Sequence, residues 1–215
     1  MSADGRLLAT GGSSEGTAKI WDVETGKMLK SFDVGGGAVY TINFDARGKY
    51  VVTSGADKAL KAIHIETGDV KVIDDTIGYV HQYEFSRDGR FMAGAVRNSI
   101  RVWDARTWKE VWKLPGNQNG SSYVTFSNDG RFLASTGADG LVRLWDLGTG
   151  KEAATLGDGT AAQGRLKFCA DNRRLVVMGS DGQVHVYGPK LGGAGAAPAP
   201  APKRVPQFEA PGEED

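Results

Sequence analysis

Several things are scarce in this sequence, and each scarcity narrows the field. One cysteine, Cys169, stands among 215 residues, which excludes a disulfide framework and a cysteine-based zinc cluster. The histidines His64, His81 and His185 lie far apart, none with a second histidine at ligand spacing, so no metal site is expected. No run of 18 apolar residues occurs, so no membrane-spanning helix is expected, and no membrane partner. The 26 basic and 26 acidic residues cancel, so nucleic acid held by bulk electrostatics is not an expected partner. The opening MSADGRLLATGG lacks the charged and apolar regions of an export signal, which makes the cytoplasm the default expectation. Sustained helical periodicity is absent as well.

Glycine, by contrast, is abundant. The 31 glycines are about twice the usual share, and in a chain that is not low-complexity they imply many tight turns. The chain also repeats itself. FDARGKY begins at Phe44, FSRDGRF at Phe85, FSNDGRF at Phe126 and FCADNRR at Phe168, at spacings of 41, 41 and 42 residues. A truncated copy, SADGRL, begins at Ser2. A second landmark follows each turn, at Trp21, Ile63, Trp103, Trp145 and Tyr187, at spacings of 42, 40, 42 and 42. Two independent landmarks with one period make chance a poor explanation.

Within one unit the pattern is β. Short runs such as YVVTSG and RFLASTG are rich in residues that suit a pleated surface, and Gly, Asp and Asn clusters separate them every eight to twelve residues. Each unit reads as four short antiparallel strands, a to d. Gly in the DGR, GADG and TG turns supplies positive φ, and Asp bonds to nearby backbone amides.

A four-stranded unit of about 42 residues with Trp-Asp at the end of its third strand resembles the WD-repeat (WD40) family of β-propellers. The resemblance covers about 187 of 215 residues. The dipeptide is intact at Trp21-Asp22, Trp103-Asp104 and Trp145-Asp146, and replaced at Ile63-His64 and Tyr187-Gly188. The family's turn aspartate, six residues before the Trp place, matches Asp57, Asp139 and Asp181; Glu15 and Arg97 stand there in the other units. The Gly-His pair common in the family is missing from DVGGGAVYTINF, DDTIGYVHQYEF, GNQNGSSYVTF and DGTAAQGRLKF. Its hydrogen-bonded chain through Ser/Thr and Asp to Trp is therefore expected to be incomplete.

The expected fold is an all-β propeller of about five four-stranded antiparallel blades, near residues 2–33, 39–75, 80–115, 122–156 and 165–188. It is incomplete at both ends: the first blade lacks its innermost strand and the fifth its outermost. The innermost strands are expected at Val39 to Phe44, Val80 to Phe85, Ser122 to Phe126 and Arg165 to Phe168. The family most often closes seven blades, so the resemblance implies an open arc, a small strained ring or a piece of a larger ring. Open ends would expose apolar faces and unpaired edges, which invites self-association. Residues 189–215 hold six of the seven prolines and end in Glu213, Glu214 and Asp215; they are expected to form a disordered tail.

No catalytic constellation stands out, and neither an enzyme activity nor a cofactor is expected. GTGK at Gly148 to Lys151 falls at a hairpin that recurs as ETGK and ETGD, which makes it a turn and not a phosphate loop. Trp108 and Trp112 depart from the other units and are candidates for an exposed aromatic patch on the rim. The resemblance implies a rigid platform for protein partners on the narrow face around the start of strand a. The matching candidates are Tyr40, Tyr79, His81, Arg97, Ser122 and Tyr123. The leading expectation is a protein–protein interaction scaffold within a larger propeller or regulatory protein. A second is an enzyme or small-ligand binder using Thr41, Gln82, Tyr123 and Arg165 around the channel. A third, suggested by the start at a mid-repeat turn, is a truncated gene fragment without independent function.

Overall fold

The computed structural model describes residues 1–76, 78, 80, 82–96, 98–116, 121–159 and 164–188. The expected tail lies outside these residues. The fold is all-β, with five antiparallel sheets in chain order. The first holds β1 (Leu7–Gly11), β2 (Thr17–Asp22) and β3 (Met28–Asp33). The second holds β4 (Val39–Phe44), β5 (Tyr50–Gly55), β6 (Leu60–His64) and β7 (Val70–Asp74). The third holds β8 (Tyr83–Phe85), β9 (Phe91–Val96), β10 (Ser99–Asp104) and β11 (Glu110–Pro115). The fourth holds β12 (Ser121–Phe126), β13 (Phe132–Gly137), β14 (Val142–Asp146) and β15 (Lys151–Leu156). The fifth holds β16 (Leu166–Phe168), β17 (Leu175–Met178) and β18 (Val184–Tyr187). Each sheet pairs its strands in sequence order. The innermost strand of the third sheet begins at Tyr83, later than the expected Val80.

Burial explains why these segments are strands. β9 and β13 are buried almost throughout, and β5 is buried after its first residue. Sheets cover both of their faces, so their sequences are apolar or small without strict alternation. The outer strands β3, β7 and β15 are largely exposed and polar.

Four apolar clusters lie between consecutive sheets and are built from the same repeat places. Ala18 and Ile20 meet Phe44, Val51 and Ile63. Val52, Leu60 and Ala62 meet Tyr83, Met92 and Trp103. Ala93, Ile100 and Val102 meet Phe126, Leu133 and Trp145. Ala134, Val142 and Leu144 meet Phe168, Leu175 and Val177. At the two ends the same places are uncovered. Leu8 is 39% exposed where Val51, Met92, Leu133 and Leu175 are at 0%. Val184 is 49% exposed where Leu60, Ile100 and Val142 are at 0%.

Two recurring turns hold the hairpins. In the first, Ser86 Oγ donates to Asp88 (2.6 Å) and accepts the Phe91 N–H (2.9 Å), while Asp88 accepts the Arg90 N–H (3.0 Å). Ser2 with Asp4 and Ser127 with Asp129 repeat this. Asp45 takes the serine's part in the second unit by accepting the Tyr50 N–H at 2.7 Å. Asn172, at φ 55°, fills the glycine place in the fifth, which asparagine tolerates better than other side chains.

The second turn explains the Trp-Asp aspartate. Asp22, Asp104 and Asp146 accept the backbone N–H of Thr25, Thr107 and Thr149 at 2.7, 2.7 and 3.1 Å. In the second unit His64 replaces the carboxylate, and its Nδ1 accepts the Thr67 N–H at 3.2 Å. The positive-φ place after each threonine is Gly26, Gly68, Trp108 or Gly150.

Trp108 therefore corrects the expectation of an exposed rim patch. Its backbone takes φ 62°, and its ring is buried, edge-on to Tyr50 and Phe85. A left-handed residue with a Cβ costs about 1–2 kcal/mol, and this burial is of the size that offsets it. Trp112 is half-buried, lies over Gly150, and donates from Nε1 to the Leu147 carbonyl at 3.3 Å.

The Trp network is partial. Trp21 Nε1 donates to Thr10 Oγ1 (2.8 Å) and Trp145 Nε1 to Ser135 Oγ (3.1 Å). At the matching place beside Trp103 stands Gly94, which has no side chain to offer.

The uncovered ends give a first prediction. Leu133→Ala should cost about 2–5 kcal/mol, whereas Val184→Ala should change stability by less than about 0.5 kcal/mol; urea-denaturation midpoints check the contrast. A second concerns acid. The hydroxyl of Thr25, the amide of Thr107 and the hydroxyl of Ser127 hold the carboxyls of Asp22, Asp104 and Asp129 below the ordinary 3.8. Depressed carboxylates contribute stability above their unfolded pKa and lose it as pH falls through the folded value. Their contribution should be constant above about pH 5 and fall away below about pH 4, as measured by the denaturation midpoint against pH.

Candidate functional site

Side chains on one face of a strand recur every second residue, so each inner strand sends two into the middle of the molecule. Repeat spacing aligns them in two tiers. One is Thr41, Gln82, Tyr123 and Arg165; the other, next to each strand-ending phenylalanine, is Asn43, Glu84, Thr125 and Lys167. A cavity of about 740 Å³ opens there, lined among others by Asn43, Gln82, Glu84, Tyr123, Arg165 and Lys167. Met1, Val176 and Met178 form an apolar part of its wall. Of the expected channel residues, Gln82, Tyr123 and Arg165 line this space, and Thr41 does not.

The polar groups of the cavity tie inner strands together. Asn43 Nδ2 donates to the Tyr83 carbonyl at 3.3 Å. Gln82 donates from Nε2 to the Val124 carbonyl (3.3 Å), and its Oε1 accepts the Val124 N–H (2.9 Å). Glu84 accepts from Thr125 Oγ1 at 3.2 Å and from Lys167 Nζ at 2.8 Å, so one carboxylate links the third, fourth and fifth units. The Arg165 guanidinium lies over the Tyr123 ring at 6.0 Å. Below this layer, burial pushes the Tyr83 phenol well above its ordinary pKa, and its hydroxyl donates to the Val52 carbonyl. The carboxylate and ammonium of the cavity are engaged with each other, an arrangement suited to bracing. The Glu84–Lys167 pair was not among the sequence candidates, although the residue before each repeat phenylalanine is a findable place.

A second missed feature sits two residues before each Trp place, where the five units carry Lys19, Lys61, Arg101, Arg143 and His185. Four of these side chains pair with the turn acid four residues earlier: Glu15, Asp57, Asp139 and Asp181. Arg101, whose counterpart place holds Arg97, pairs instead with Asp74 of the second sheet (3.0 Å) and Glu110 (2.8 Å). The turn aspartates thus keep a structural part, with a Lys, Arg or His side chain as partner.

Of the proposed partner-binding residues, Tyr40 is 59% exposed. It sits at a register shift in β4, where Val39 pairs with Gly55 and Thr41 with Ser54. The same shift occurs in β12, where Ser121 pairs with Gly137 and Tyr123 with Thr136. Ser122 thus occupies the corresponding backbone place, its side chain lying outside the described residues. Tyr123 is half-buried and belongs to the cavity wall, which separates it from Tyr40. Tyr79, His81 and Arg97 lie outside the described residues. Among the described residues no group of three or more His, Cys, Asp or Glu side chains gathers to hold a metal ion. Cys169 is free and half-buried.

Comparison with known proteins places these features. Residues 1–22, 26–62 and 108–146 match the WD40 family model, described as "WD domain, G-beta repeat". WD repeat-containing protein SL1-17 of Schistosoma mansoni is 28% identical over 134 residues, covering 61% of this chain and 44% of that protein. The WD repeat-containing protein 55 homolog of Drosophila erecta is 25% identical over 125 residues, 56% of this chain and 24% of its own length. The U3 small nucleolar RNA-associated protein 21 homolog of Schizosaccharomyces pombe is 32% identical over 138 residues, 62% of this chain and 15% of its own length. The chain therefore spans less than half the length of each of these relatives.

The cavity yields a third prediction. Glu84→Gln should lower stability by at most about 1 kcal/mol, because Lys167 is largely exposed. The deficit should shrink in 1 M salt, where the Debye length is about 3 Å; paired denaturation curves at low and high salt measure it.

Proposed function

The chain is built of WD40 repeats, and from that premise we propose that it is a non-catalytic protein–protein interaction scaffold working within a larger propeller assembly. The observation that carries this reading is Tyr40. It is a large aromatic residue, mostly exposed, at the irregular start of an inner strand on a rigid sheet. β-bulges re-aim side chains, and exposed aromatic residues on rigid elements are frequent anchors of interfaces. His81 and Ser122 follow Tyr40 at 41-residue intervals, so the sequence carries a different residue at this repeated place in neighbouring units. That is how a repeat protein acquires specificity without changing its fold.

A protein is the favoured partner. One relative is named as associated with a small nucleolar RNA, but the balanced charge of this chain gives no general attraction for phosphate. Leu8 of the first sheet and Val184 of the fifth are exposed at repeat places that are fully buried in the inner sheets, so further sheets of the same kind suit these faces. The cavity favours a scaffold over an enzyme because its one carboxylate is already held by Lys167 and Thr125.

Affinity capture from the source cell, with the unmodified chain and Tyr40→Ala side by side, tests the reading. A protein held by the first and released about tenfold more readily by the second, as for an interface anchor worth about 1–2 kcal/mol, supports it. Identical capture by both overturns the assignment of this face.

A further inference from the structure

A small pocket of about 300 Å³ lies where the inner strands of the third, fourth and fifth sheets end. The repeat phenylalanines Phe85, Phe126 and Phe168 form its apolar walls, and Glu84, Arg87, Asn128 and Lys167 bring polar groups to it. None of its lining residues belongs to the first or second sheet. The charges here are departures from the repeat. Two residues after the phenylalanine place the five units carry Ala3, Ala46, Arg87, Asn128 and Ala170. Ser86 and Asp88 close the turn around Arg87, and alanine serves at this place in other units, so the turn does not require an arginine. Arg87 is exposed, and among the described residues no hydrogen bond or ion pair engages its guanidinium. One residue before the phenylalanine stand Asn43, Glu84, Thr125 and Lys167. One unit earlier, Asn43, Ala46 and Thr125 thus take the places of Glu84, Arg87 and Lys167, and that position in the array carries no charge.

One wall is held in place before any ligand arrives. Asn128 Nδ2 donates to the Cys169 carbonyl at 2.8 Å and to Asn172 Oδ1 at 2.9 Å, and the Asn128 N–H donates to the same Asn172 oxygen at 2.7 Å. A wall already ordered costs little on binding. Glu84, Phe85 and Lys167 line both this pocket and the larger cavity, so the Glu84–Lys167 pair stands between the two. The Lys167 side chain is 69% exposed. An ion pair so open to water is worth little, which leaves the ammonium free to meet a second anion. A guanidinium fork and an ammonium, supplied by different units, suit an oxyanion. The oxygens of a tetrahedral phosphate point in several directions and can meet both groups at once, whereas the two oxygens of a carboxylate lie in one plane and face one side. The phenylalanine walls lower the local dielectric, which strengthens such contacts. The volume is at the lower end of the range for small-ligand sites, about 300–1,000 Å³.

We propose that this pocket binds the phosphate group of a small solute, held by Arg87 and Lys167, with Glu84 as the competitor for the lysine. Glu84 thereby limits the affinity, because its carboxylate repels the ligand it would have to share Lys167 with. The site lies at the ends of inner strands, whereas Tyr40 stands at the start of one, so the proposal does not rest on the scaffold reading.

Nuclear magnetic resonance titrations of the full-length chain at constant ionic strength test it, with inorganic phosphate, glycerol 3-phosphate and acetate as probes. Both phosphates should shift the amides of Arg87, Asn128 and Lys167 to saturation, and acetate should not. Arg87→Ala should weaken the binding of inorganic phosphate about tenfold, as for one lost charge-assisted hydrogen bond. Glu84→Gln should tighten it about threefold, as for one like charge removed at close range. Arg87→Ala installs the residue that Ala3, Ala46 and Ala170 already provide, so its denaturation midpoint should match that of the unmodified chain, which separates lost binding from lost folding. Equal affinity in Arg87→Ala, or weaker binding in Glu84→Gln, overturns the proposal. So do shifts that never saturate and spread over the turn arginines of every unit, and shifts with acetate equal to those with phosphate. Saturation by inorganic phosphate but not by glycerol 3-phosphate overturns the assignment to a solute's phosphate group.

Discussion

The structure depends on one interaction: the packing of each inner sheet against a neighbour on both of its faces. β5, β9 and β13 are buried on both sides, the hydroxyls of Thr53, Ser54, Ser135 and Thr136 included. The large side chains at the landmark places, Ile63, Trp103 and Trp145, are buried because each lies against the preceding sheet. Fully burying one such side chain is worth about 1.5–3 kcal/mol, and eleven large side chains of the described residues are buried to this degree. The turns, ion pairs and Trp hydrogen bonds orient the hairpins, but each contributes only about 1 kcal/mol net. Packing between sheets stabilises the fold most, and the repeat period is its signature in sequence.

That hierarchy explains what is legible in the sequence. The places of Phe44, Phe85, Phe126 and Phe168 and of the Trp residues set the number of units and their strand order. β1, β3, β4, β17 and β18 occupy the residues that the turn signals enclose. Trp108 escapes such reasoning because a glycine place looks like a surface turn from sequence. Nothing local shows that Tyr50 and Phe85, distant in the chain, form a pocket for its ring. The cavity is half legible for a similar reason. The period-two pattern identifies which residues point inward, but the pairing of Glu84 with Lys167 spans 83 residues and follows from the curvature of the sheet array, which no local pattern encodes. The partner-binding candidates divide likewise: a repeat position names Tyr40 and Tyr123 alike, and the packing of the fourth sheet against the fifth draws only Tyr123 into the cavity wall.

The polar features obey a looser rule than the apolar ones. Without a Gly-His pair, the turn acids take the Lys, Arg or His side chain four residues later as partner. Where His64 replaces the Trp-Asp aspartate, a ring nitrogen accepts the same amide. In both cases the hydrogen-bonding requirement of the turn persists and the chemical group meeting it changes. A buried donor or acceptor must find a partner or incur about 1–3 kcal/mol, but many groups can serve.

The third unit shows how far such substitution can go. It has Arg97 in place of the turn acid, Gly94 in place of the hydroxyl that meets Trp21 and Trp145, and Trp108 in place of the turn glycine. It also lies largely in the stretch between the second and third family matches. Yet Trp103 is as buried as Trp145, and Met92 as buried as Leu133. Arg101, released from a local acid, reaches Asp74 in the second sheet, while Trp108 fills space against Tyr50 of that same sheet. The local ties lost within the unit reappear as ties to its neighbour. A unit flanked on both sides can make that exchange because a covering sheet offers partners; the first and fifth units, each open on one face, lack that resource. Divergence from the repeat is therefore best tolerated in the middle of the array, and the end units depend more on whatever covers them.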